Sequence, residues 1–188
     1  MDRGKLSTPV NFVLFQICWF GSVLGAANRI GWVGPFLVLM AIPPQIFWFT
    51  KEYKAEASFI VLCGLLGFCL ETILIGFGVY VPVGKGNLPV CPPWMVGLWV
   101  NFGMLVSLSL SWLKGKYLLA FILGGFAGPL AWWGGEKLGA LIVAAEFIKG
   151  YIPLGFVWAA VLPALIYLHS RLVVTEEAEK SKFFPDHF

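Results

Sequence analysis

Residues 57–80 read ASFIVLCGLLGFCLETILIGFGVY, an unbroken apolar run with a single ionisable residue, Glu71, inside it. At about 1.5 Å of rise per residue, such a run is long enough for a helix to cross the hydrocarbon core of a bilayer. Steps of three or four residues connect Gly64, Gly67, Glu71, then Leu74 or Ile75, then Gly78, so the acid shares a helical stripe with glycines. A glycine stripe lets a second helix approach closely, and an intramembrane carboxyl needs donors that lipid tails cannot supply. Glu71 is therefore expected to face protein.

The composition agrees with a membrane chain. Of the 188 residues, 59% are hydrophobic and only 12% charged, against about 25% charged in soluble domains. Mean hydropathy is +0.84. The net charge of +3 is small and no basic block or face is present, which argues against nucleic acid as a partner and leaves membrane lipids and membrane proteins. Cys18, Cys63, Cys69 and Cys91 show no CxxC spacing, and the two histidines, His169 and His187, come late, so neither a metal centre nor a cofactor is expected. Three cysteines read as packing residues in apolar runs; Cys91, at a membrane edge, reads as the reactive one.

Outward from the central run, the chain divides into five more apolar segments. The first helix runs from about Val10 to Ala27 and is read as a retained span rather than a cleaved signal, with Gly21 and Gly25 as a GxxxG contact. The second runs from Gly34-Pro35 to about Thr50 and is kinked at Pro43-Pro44. After Lys51-Glu52-Tyr53-Lys54, a solvated connector, comes the Glu71 helix, and then a turn-rich loop from Pro82 to Pro93. The fourth starts at Pro92-Pro93 and ends near Trp112, and the fifth covers Tyr117 to about Trp133. Leu138 to Phe147 is apolar but short and flanked by charges, which predicts an interfacial helix before a sixth span, Ile152 to His169.

The fold class expected is thus all-α: a bundle of six transmembrane helices with a short interfacial helix between spans five and six. Residues 1–170 form one transmembrane domain and 171–188 a solvated tail. Six spans place both termini on one side. Segments on that side hold Arg3, Lys5, Lys51, Lys54, Lys114, Lys116, Arg171, Lys180 and Lys182, and the other side holds Arg29, Lys85, Lys137 and Lys149. By the positive-inside rule both termini are cytoplasmic.

The candidate site lies in the outer half of the membrane. Glu71 is roughly 13 Å below the outer end of its helix and Asn101 is at similar depth below Pro92, while Arg29 at the outer boundary could snorkel toward both. Glu71 is the acidic centre in this reading, with Asn101 and Arg29 as hydrogen-bond or charge partners. Gln16, Gln45 and the serines of the fourth helix read as packing residues. Ser22 and His169 do not make a protease pair, because they belong to opposite ends of the membrane.

Three stretches, NFVLFQICWFGSVLGA (11–26), LSLSWLKGK (108–116) and GGFAGPLAWWGGEKLGA (124–140), resemble a family of small bacterial inner-membrane proteins described only as a domain of unknown function. The resemblance covers nearly the whole chain. Members often carry a His-containing pair where Ser107-Leu108 stands here. The resemblance implies an inner-membrane location. Members are often encoded beside cyclopropane-fatty-acid-synthase-like genes, which implies membrane lipids and lipid-modifying enzymes as partners. It transfers no activity and no functional residue. The expected role is an accessory protein or enzyme of lipid modification. The alternatives are a small proton- or cation-coupled transporter centred on Glu71, and a structural membrane scaffold.

Overall fold

The computed structural model describes residues 3–83 and 90–183, with side-chain surroundings for 6–83 and 90–173. Lys85 and His187 lie outside these residues. The helices are α1 (Arg3–Ala27), α2 (Val33–Pro44), α3 (Tyr53–Gly76), α4 (Pro93–Ser107), α5 (Tyr117–Lys137) and α6 (Tyr151–Phe183). Two short strands, β1 (Tyr80–Pro82) and β2 (Leu141–Val143), complete the architecture, and α6 continues well past residue 170.

Among the described residues, four stretches are long and apolar enough to cross a membrane: Leu6–Ala27, Tyr53–Gly76, Tyr117–Lys137 and Tyr151–Val173. The other two apolar helices, Val33–Phe49 and Pro93–Ser107, are shorter. At about 1.5 Å per residue they reach roughly 25 and 22 Å, less than the ~30 Å of a hydrocarbon core. Large apolar side chains such as Leu118, Phe126 and Phe156 point outward and are exposed. Such a surface suits lipid rather than water.

Helix ends follow local chemistry. Arg29 takes a left-handed conformation (φ 62°) and stops α1, while the Asn28 amide donates to Leu24 O. Pro43 and Pro44 withhold two backbone donors from α2, and the chain answers with a wide π turn over Gln45–Phe49. That turn rotates Gln45 into the interior, where it is buried.

The helices pack through small residues. A methyl group placed on Gly67 would lie 2.0 Å from Trp99 Cγ, so the glycine stripe of α3 is where α4 comes closest. Between α5 and α6 the same role falls to Gly124 and Gly128, against the Trp158 backbone and ring.

The expected interfacial helix over Leu138 to Phe147 is absent. Gly139, at φ 82°, ends α5, and Leu141–Val143 pairs antiparallel with β1, with Val81 opposite Ile142. The branched Ile142 and Val143 favour a strand over a helix, and the partner strand supplies backbone acceptors and donors. The Glu136 carboxylate secures this corner, accepting from Val143 N at 2.9 Å and from the Tyr151 hydroxyl at 2.7 Å.

Candidate functional site

Helix α3 carries two buried carboxyls fifteen positions apart, which separates them by roughly 22 Å along the axis. Glu71 is fully buried and faces α4. Trp99 Nε1 donates to its Oε1 at 2.7 Å, and the Tyr80 hydroxyl donates to its Oε2. Tyr80 reaches back because the chain reverses at Gly78, whose φ of 70° is open to glycine without strain. Its ring rests edge-on against Trp132, and its oxygen lies 3.8 Å from Met95 Sδ. Burial pushes the Tyr80 phenol far above its ordinary range, and the neighbouring Glu71 carboxylate adds to the shift.

The other two expected site residues are elsewhere. Asn101 is buried, but its amide donates to Phe15 O at 3.0 Å and ties α4 to α1. Trp99 and Asn101 are two residues apart, hence about 200° around the helix, and cannot both face α3. Arg29 is exposed at the end of α1, and among the described residues its side chain has no partner. Both groups that do meet Glu71 are neutral donors. Trp99 could have been found on the Met95, Trp99, Gly103 face of α4; Tyr80 lies beyond the reversal and carries no such signal.

Cys91 is also corrected. Instead of being exposed, it is 5% accessible, and its backbone N–H donates to Thr72 Oγ1. Burial, followed by the charge of Glu71, pushes its thiol up to about 12. Cys69 is the exposed cysteine.

The second carboxyl, Glu56, is 1% exposed and centres a network that the sequence reading missed. Gln45 Nε2 donates to its Oε1 at 2.6 Å, and Ser107 Oγ lies 2.8 Å from the same oxygen. His169 Nε2 stands 3.4 Å from Oε2, with its ring edge-on against Phe59. Asn11 Nδ2 donates to Gln45 Oε1 and to Met104 O, both at 3.0 Å. The Ser109 hydroxyl approaches Asn11 Oδ1 at 2.6 Å. These groups come from α1, the π turn, α3, α4 and its following turn, and α6.

A cleft of about 460 Å³ lies at the junction of α1 and α4 with α5 and α6. Trp99, Phe102, Trp132, Trp158 and Leu162 are among its walls. Trp99 stacks on Trp158 at 5.1 Å between ring centroids, and Trp132 meets Trp158 at 5.4 Å. Trp99 thus touches the cleft with its ring and Glu71 with its N–H. Among the described residues, no three His, Cys, Asp or Glu side chains converge as a metal site would.

The sequence model of one family, described as Protein of unknown function (DUF2878), matches residues 8–164. No curated protein matches the chain. No solved structure matches it either.

Proposed function

Starting from the premise that the chain belongs to this family of proteins of unknown function, we propose that it is a six-span protein of the bacterial inner membrane. In this reading both termini are cytoplasmic, and the protein serves membrane-lipid modification as an accessory protein or enzyme. α2 with its π turn, and α4, make the two short crossings, with their flanking residues in the headgroup layers. The observation that carries the lipid reading is the tryptophan-lined cleft. It is apolar, it has the size of a small-molecule site, and a lipid acyl chain is the apolar chain that the bilayer supplies. Trp158, buried in its wall, has an indole N–H with no acceptor among the described residues. Through Trp99, Glu71 lies one side chain away from this cleft.

Ala127 lines the cleft and is not buried, so Ala127→Phe is the substitution chosen to narrow the space. The test compares lipids retained by the purified protein and the lipidomes of wild-type, deletion and Ala127→Phe cells. Retained lipid should fall in the variant, and its lipidome should follow the deletion. Unchanged lipidomes with full lipid retention would refute the reading.

A second reading, proton- or cation-coupled transport centred on Glu71, is favoured by one observation: among the described residues this buried carboxyl is held only by neutral donors. Uptake driven by a pH or cation gradient in proteoliposomes and lost in Glu71→Gln would establish it. A scaffold would keep every function in Glu71→Ala and lose only stability.

A further inference from the structure

We propose that Glu56 is a proton-binding site, loaded through His169 from a small pocket at the end of the molecule that carries the N-terminal half of α1 and the C-terminal half of α6. The proposal rests on neither reading of the overall function. Three observations carry it.

First, the carboxyl is buried and, among the described residues, His169 is the only basic side chain that touches it. An isolated buried charge is costly, so a carboxyl in such a place is held by hydrogen bonds and by whatever proton it can share. Second, the hydrogen-bond network has room for both states of the acid. Ser107 Oγ has one hydrogen and two acceptors, Glu56 Oε1 at 2.8 Å and Met104 O at 3.0 Å. With Glu56 ionised, the Ser107 hydroxyl donates to it. With Glu56 protonated on Oε1, the carboxyl O–H donates to Ser107 Oγ, which turns its own hydrogen to Met104 O. No helix has to move. Third, His169 connects inside to outside. The same side chain lines a pocket of about 150 Å³ together with Ser111, Lys114, Ser170 and apolar neighbours. Among the described residues His169 is the only side chain that both contacts Glu56 and lines this pocket.

The transfer balances without a cofactor. A hydronium ion in the pocket gives a proton to Nδ1 and is left as water, Nε2 passes its own proton to the ionised Glu56 Oε2, and the imidazole is left neutral in the other tautomer. Rotation of the carboxyl then presents the proton to Ser107. The groups facing the site are Asn11 of α1, Gln45 of the π turn, Phe59 and the Cys63 thiol of α3, Ser107 of α4, and His169 of α6; Lys114 faces the pocket.

Infrared difference spectra of the full chain in nanodiscs, recorded across pH, read the carboxyl C=O stretch directly. Wild type and Glu71→Gln should share a pH-dependent component of the carboxyl band that the spectrum of Glu56→Gln lacks, while the bands of the other acids remain. Ser107→Ala should shift that band without abolishing it. After a pH jump, His169→Gln should protonate Glu56 at a rate lower by roughly 100-fold, the usual worth of a positioned proton-transfer group. A wild-type minus Glu56→Gln difference with no pH-dependent carboxyl component, or a wild-type rate in His169→Gln, overturns the proposal. Should Glu56→Gln fail to fold, the Ser107→Ala shift and the His169→Gln rate decide it, since neither removes the carboxyl.

Discussion

Replacing Gly67 with alanine tests how the two central helices meet. The added methyl would sit 2.0 Å from Trp99 Cγ and 2.5 Å from both Trp99 Cβ and Cδ1. Ordinary carbon contacts are about 3.5–4.0 Å, so α4 must retreat by about 1.5 Å or the indole must leave. The atoms struck are the stem of the side chain, which cannot swing aside as a flexible tip could. Overpacking of this kind costs about 1–3 kcal/mol. Withdrawal of the indole also removes the Trp99 to Glu71 hydrogen bond, and a bond to a carboxylate contributes about 1.5–3 kcal/mol. We expect a loss near 3–4 kcal/mol, because partial relaxation keeps the two contributions from adding fully. Gly76→Ala is the control: a methyl there meets nothing within 4 Å, so it should be neutral or stabilise by up to about 1 kcal/mol. Reversible unfolding in bicelles, followed by tryptophan fluorescence, measures both. If Gly67→Ala costs less than about 0.5 kcal/mol, or no more than Gly76→Ala, the close α3–α4 contact is wrong.

Tyr80→Phe should destabilise the protein by about 1–3 kcal/mol, because it leaves one Glu71 oxygen buried without a donor; the same unfolding assay checks it. Gln45→Leu takes one hydrogen-bond partner each from Glu56, Ser107 and Asn11, with an expected cost of about 2–3 kcal/mol in that assay. The Cys91 thiol, raised from 9.0 to about 12 in the folded chain, should resist maleimide at pH 8 until the protein is unfolded, while Cys69 reacts with a membrane-permeant reagent. The sign of the linked stability follows. Between pH 9.0 and about 12 the unfolded chain gives up the thiol proton that the folded chain keeps, so stability should fall as pH rises through that window, and Cys91→Ala should flatten the fall.

The burial of Glu71 was legible because its evidence is local: one helix, one stripe and one acid. Its partners were not, since Tyr80 returns only after a reversal and Trp99 arrives from a helix whose rotation is set by packing against both α1 and α3. Even so, the two-residue spacing of Trp99 and Asn101 excluded a shared face from the start. Glu56 escaped notice for a different reason. It follows the charged Lys51 to Lys54 run and looks solvated, yet α3 begins at Tyr53, which puts Glu56 a turn inside the helix. The β1–β2 pairing joins residues sixty positions apart, and no pattern within Leu138 to Phe147 announces a strand partner that far away.

That pairing acts as a latch. With Val83 N bonded to Ala140 O and Ala144 N to Val79 O as well, the connection from α3 to α4 is stitched to the connection from α5 to α6. The bundle is thereby bound along one edge like the leaves of a book. A bulky guest entering between α1 and α5 therefore meets, at this end, two connections already joined to each other.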